Sequence, residues 1–108
     1  MNQLELNKLL KETYEHLWNG RHKLALKSAE KLFHDMPQDS EAAIILSWAL
    51  LENGFPSKAL EFANLAVELE GDEIRTSLCR GYVLMRLGAL DGAVKDLDNS
   101  IVQQRELL

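Results

Sequence analysis

Apolar residues return at helical spacing in three successive stretches of the chain. Leu6, Leu9, Leu10 and Leu17 form the first set, Ile44, Leu46, Trp48 and Leu51 the second, and Ile74, Leu78, Tyr82 and Met85 the third. Spacings of three and four place each set on one face of an α-helix. Each stretch runs to a glycine, and Gly20, Gly54 and Gly88 are evenly spaced along the chain. Glycine closes a helix there because it takes the left-handed conformation without a Cβ clash. Asn19 and Asn53 suit the same turn. A second amphipathic stretch follows each glycine, with Pro56 at a permitted first position. Asp39 and Ser40, and then the Glu70-Gly71-Asp72 segment, supply capping groups where the next unit starts. The pattern predicts six helices, over 4–19, 22–34, 40–53, 56–70, 73–87 and 90–106.

The 34-residue period extends well beyond the glycines. Ala25, Ala59 and Ala93 each follow their glycine at the same interval, with Ala29, Ala63 and Leu97 one helical turn later. Leu32, Ala66 and Ser100, then Phe33, Val67 and Ile101, continue in register. A helix–turn–helix unit of this length, with small residues at the close approach of its two helices, resembles the tetratricopeptide repeat family. The resemblance is carried by Gly20, Ala25, Ala29 and Pro37, by Leu46, Leu50, Gly54, Ala59 and Ala63, and by Gly81, Leu84, Gly88 and Ala93. Three units fit, at about 6–39, 40–73 and 74–107, in a single domain spanning 1–108. Glu12 and His16 depart from the apolar pattern in the first unit, and Arg80 replaces the usual leucine in the third. The expected fold is all-α, a right-handed α-solenoid of six helices. Each pair buries its apolar face against the next.

The resemblance also implies that the first helix of each unit lines a concave surface. Tyr14, Trp48 and Tyr82 are one aromatic per unit at matched register, flanked by Leu10, Ile44 and Leu78 and by Leu17, Leu51 and Met85. Such a stripe is either core or an apolar groove with aromatic anchors, the side chains that dominate binding energy at interfaces. The groove reading adds Trp18, and takes Lys11, Arg75 and Arg86 as orienting charges. A dense Lys/Arg/Asn clamp, which family members use for a C-terminal carboxylate, is missing from the matched positions. The expected ligand is therefore a protein or peptide segment with bulky apolar side chains, extended or helical. The expected function is an adaptor or scaffold. A narrower version is a dedicated chaperone for a secreted or assembly-prone subunit, and a rival is self-assembly through the repeat ends.

Composition supports helix and narrows the partners. Leucine occurs 21 times and alanine 10, against 10 Val, Ile and Thr together. The net charge is −5. It is uneven: 6–39 holds six basic and five acidic side chains, 40–73 one and seven, and 74–108 five and four. A middle unit of net −6 between two of net +1 opposes a nucleic-acid partner, which needs a basic stripe. Its carboxylates, Glu61, Glu68, Glu70, Asp72 and Glu73, would instead steer a basic partner.

No enzymatic or metal chemistry is indicated. His16, His22 and His34 lack the i, i+3 or i, i+4 spacing of a helical metal pair, so neither metal nor cofactor is expected. Cys79 has no histidine near it in sequence and reads as a small buried or groove-side thiol. Met1–Leu10 has no uninterrupted apolar run and no stretch approaches a membrane span, so a cytoplasmic protein without membrane insertion is expected. The last helix presents Val94, Ile101, Val102 and Leu108 with no following unit to cover them. That implies a piece of a longer array, a homo-oligomer through this face, or a self-sufficient last helix.

Overall fold

The computed structural model describes residues 1–70 and 73–107. They form α1 (Gln3–Trp18), α2 (His22–Asp35), α3 (Ser40–Glu52), α4 (Pro56–Glu70), α5 (Ile74–Leu87) and α6 (Leu90–Leu107), with no strand among the described residues. Each bound falls within one residue of its expectation. Every helix packs on its neighbours in the chain, and α3 also packs on α5. The stack measures 37 × 30 × 23 Å.

The turns are the same device used three times. Gly20, Gly54 and Gly88 have φ of 71°, 84° and 81°. A side chain would be strained there. The residue after each glycine donates its N–H to a carbonyl five residues back: Arg21 to His16, Phe55 to Leu50, and Ala89 to Leu84, all at 2.9 Å. One otherwise unpaired carbonyl in the last turn of α1, α3 and α5 is thereby bonded. Asn53 adds its side-chain amide, which donates to the carbonyls of Ala49 and His22. At the helix starts, Asn2 accepts from the N–H of Glu5 and Asp39 from the N–H of Glu41, both at 2.8 Å. These are N-caps of the ordinary kind.

Small side chains set the spacing of the paired helices. Ala25, Ala29, Ala59 and Ala63 are fully buried, and Ser47 donates its hydroxyl to the carbonyl of Ala59 at 2.7 Å. In the third pair a Cβ added to Gly81 would stand 3.2 Å from Cβ of Asp96 and 3.3 Å from the Leu97 side chain. Larger residues at these places would force the helices apart. The bulky core lies between repeats: Leu32, Ile45, Leu46, Leu50, Leu51 and Val83 are buried there. The rings of Phe33 and Phe62 meet edge-on at 5.1 Å, a favourable aromatic geometry. α3 is buried on nearly every side, with Ala42, Ala43, Ile45, Leu46, Ser47, Ala49, Leu50 and Leu51 all inaccessible.

Arg80, which departs from the repeat pattern, is held by a carboxylate on α6. Its Nε and Nη2 donate to Oδ2 and Oδ1 of Asp96, each at 2.7 Å, and Asp96 is buried. One repeat earlier the matched positions carry Leu46 and Phe62. An ion pair has thus replaced an apolar pair, both members together. Leaving one buried charge without its partner costs about 3 kcal/mol, whereas replacing both with apolar groups is often neutral. Arg80→Leu should therefore lower the stability by about 3 kcal/mol in urea denaturation. Arg80→Leu with Asp96→Phe should return it to within about 1 kcal/mol of the parent.

Candidate functional site

An apolar cleft of about 460 Å³ opens on one face of the stack. Its walls are Tyr14 of α1, Glu41, Ile44, Trp48 and Leu51 of α3, and Arg75, Leu78, Cys79, Tyr82 and Val83 of α5. Among the described residues, the second helices of the repeats contribute nothing to this lining. The repeat explains the segregation: alanines on the second helices fill the contacts inside each pair. The bulky residues of the first helices are left facing outward.

The aromatic rings are arranged in a chain at one side. Trp48 meets Tyr14 at a tilt, with ring centroids 6.4 Å apart, and meets Trp18 edge-on at 5.7 Å. Tilted and edge-on rings are the arrangements their quadrupoles favour. Tyr82 stands on the opposite wall, 42% exposed, under the Arg86 guanidinium at 5.9 Å from its ring centroid. That distance is within reach of a cation–π attraction.

Charged groups stand in and beside the cleft. In the lining, the Tyr14 hydroxyl donates to Oε1 of Glu41 at 3.0 Å. Burial of the ring, then the Glu41 charge, push the Tyr14 hydroxyl up to about 12. Both causes disfavour the phenolate. Arg75 donates to both carboxylate oxygens of Glu70 at 2.9 and 3.2 Å, and Ser40 donates to Oε2 of the same group. Hydrogen bonds from Arg75 and then Ser40 hold the Glu70 carboxyl below its usual range. Beside the cleft, Arg86 lies 4.0 Å from Glu52 and donates to the Tyr82 hydroxyl at 3.3 Å. Arg75 and Arg86 lie eleven positions apart on α5. At the rise of an α-helix that is a span of about 16 Å. Burial pushes the Cys79 thiol up. It therefore stays protonated rather than nucleophilic at neutral pH.

The residues expected in the groove divide into three groups. Tyr14, Ile44, Trp48, Leu51, Leu78 and Tyr82 line the cleft together. Trp18, Met85 and Arg86 lie outside the lining: Trp18 is 77% exposed beside Trp48, and Met85 is 45% exposed. Leu10, Leu17 and Lys11 stand away from the cleft. Leu17 is 6% exposed within the core, because at its register the following repeat packs over α1. Leu10 lines a separate hollow of about 110 Å³ with Leu6, Leu32 and Met36. Lys11 matches Ile45 and Cys79, positions that face the preceding repeat in the second and third units, and among the described residues it is exposed. On α6, Val94, Ile101 and Val102 are exposed, while Leu108 lies outside the described residues. Glu41 and Val83 were not foreseen. Val83 was signalled by its register, matching Ala49 of the middle unit on the side of α5 that faces α3.

Among the described residues no cluster of His, Cys, Asp or Glu could hold a metal ion, and no helix is long and apolar enough to cross a membrane. No protein-family model matches the chain, and no curated protein does either. Solved structures do match. PcrH in complex with the chaperone binding region of PopB superposes with a TM-score of 0.84 at 18% identity, over 95% of this chain and 83% of that one. The TPR2AB domain of yeast Sti1, in complex with an HSP90 peptide, gives 0.83 at 17% identity over 98% of this chain and 41% of that one. The fold is a tetratricopeptide-type solenoid. MamA of Desulfovibrio magneticus RS-1 shares it, at 0.80 and 22% identity over 91% of this chain and 55% of that one. This solenoid spans a little over half the length of the MamA structures it matches.

The Tyr14 environment gives a pH dependence with a defined sign. Below pH 10 the phenol is protonated in both folded and unfolded chains, and its contribution to stability is constant. Between pH 10 and about 12 the unfolded chain releases this proton while the folded one keeps it, so stability falls as pH rises. Tyr14→Phe should remove that part of the alkaline loss. Guanidinium midpoints at pH 9 and pH 11 for the parent and the variant test it: the drop between the two pH values should be smaller in the variant.

Proposed function

We propose that this solenoid is a protein-interaction adaptor that binds a segment of a partner protein in the α1–α3–α5 cleft. The observation that carries the reading is the composition of the walls: Ile44, Trp48, Leu78 and Tyr82 offer apolar surface over a base closed by the buried Leu51 and Val83, and Glu41 and Arg75 are the charged groups of the lining. Apolar surface of this kind gains about 25 cal/mol per Å² when covered, and aromatic anchors supply most binding energy in such grooves. The volume lies within the range of about 300–1,000 Å³ that recognition pockets occupy. A segment carrying two or three bulky apolar side chains, extended or as an amphipathic helix, fits the floor. Arg75 and Arg86 would orient it by exchanging their present partners, Glu70 and Glu52, for groups on the ligand.

A narrower form is a chaperone for an assembly-prone subunit. It is suggested by PcrH, which is seen with the chaperone binding regions of both PopB and PopD. That form requires the client to be aggregation-prone when alone and held in solution when co-expressed with this chain.

Trp48 is a poor position for the test, since its ring braces Tyr14 and Trp18. Leu78 and Tyr82 are exposed and can be changed with the fold retained. Selection from a displayed peptide library should enrich segments with bulky apolar residues, binding with Kd near about 1 μM, about −8 kcal/mol. Leu78→Asp with Tyr82→Ala should weaken them at least tenfold while the circular dichroism stays that of the parent. Unchanged binding in that folded variant would place the ligand elsewhere and overturn the assignment.

A further inference from the structure

One apolar surface lies apart from the cleft, on α6. In the first two repeats the matched positions are covered: Leu26 and Leu60, and Phe33 and Val67, are half-buried, and the Phe33 ring meets Phe62 of the following repeat. Their counterparts Val94 and Ile101 are 55% and 49% exposed. Val102, also exposed, stands where His34 and Glu68 stand in the other repeats, which widens the strip on its outer side.

Two opposite charges share this face. Asp98 lies one helical turn after Val94, and Arg105 one turn after Ile101, so the residues at 94, 98, 101 and 105 form one stripe at helical spacing. Asp98 and Arg105 are about 10 Å apart along the axis, too far to pair with each other. Neither makes an ion pair or side-chain hydrogen bond among the described residues. Arg105 is on the helix only because α6 is long: it has 18 residues, against 14 in α2 and 15 in α4. Its counterpart in the first repeat is Pro37, just past the end of α2.

We infer that this face of α6 docks a second copy of the chain, with two α6 helices antiparallel about a two-fold axis between Ile101 and Val102. The argument is charge self-complementarity. An isologous interface requires each residue to meet its counterpart reciprocally. With the axis at that point, Asp98 of each copy faces Arg105 of the other and Ile101 of each meets Val102 of the other, while Val94 lies beyond the paired segment. A parallel pairing would oppose Asp98 to Asp98 and Arg105 to Arg105, so the charges also select the direction. The cleft stays open in such a dimer, because none of the described α6 residues lines it. The inference is independent of the peptide-binding reading.

Sedimentation equilibrium of the full chain over a concentration series tests it, beside Asp98→Arg, Arg105→Asp, the double exchange, and Ile101→Glu. All three positions are exposed, and circular dichroism should report unchanged helix content. The parent should show a monomer–dimer equilibrium. Each single reversal turns two attractions into two repulsions and should weaken the dimer about tenfold, while Ile101→Glu should abolish it. The double exchange restores the pairing with the charges swapped and should return the dimer constant to within about threefold. A parent that stays monomeric at all concentrations overturns the inference. So does a dimer indifferent to both single reversals, or a double exchange as weak as either single one.

Discussion

Two helices come close along their length only where neither carries a large side chain. In this chain that constraint is met three times at the same register. Ala25, Ala59 and Ala93 are buried on the second helices, and Thr13, Ser47 and Gly81 are buried at matched places on the first. The hydroxyl of Ser47 bonds the Ala59 carbonyl directly, so in the middle pair the side chain adds a tether to the backbone contact. Everything bulky is thereby displaced to the flanks of each pair. One flank becomes the core between repeats, and the other becomes the apolar floor of the cleft.

Equivalent residues then differ by what is stacked on them. Leu17, Leu51 and Met85 share one position in the repeat, yet they are 6%, 2% and 45% exposed. The first two are covered by the following repeat, while Met85 has no following helix over it among the described residues. Leu78 and Tyr82 are exposed for the same reason. The cleft is therefore asymmetric: a sheltered wall of Tyr14 and Trp48 faces an accessible wall on α5. Chemical similarity between repeats does not carry over into equal availability.

The fold was legible because a 34-residue period constrains many positions at once, and the glycine turns fixed the register. The site was legible in part. Periodicity placed Tyr14, Trp48 and Tyr82 on one stripe, but period alone cannot distinguish a residue beneath the next repeat from one beside it. Leu17 and Lys11 show the difference: one is covered by the following repeat, and over the other no helix packs among the described residues. The Arg80–Asp96 pair was readable in principle. Both residues break an apolar pattern at positions that hold Leu46 and Phe62 one unit earlier, and a paired departure is more informative than either alone. Glu41 could not be foreseen as the Tyr14 partner, since its hydrogen bond spans 27 residues and depends on how two repeats stack.

Among the described residues, substantial helix contacts occur only within a repeat or between adjacent ones. Opening is therefore expected to begin at the two ends and move inward. α3, surrounded on nearly every side, should be the last helix to exchange its amide protons. The cleft draws one wall from each repeat, and so joins the slowest-opening helix to two faster ones. Anything held in it would bridge units that otherwise unravel separately, and would convert graded fraying into a single cooperative transition.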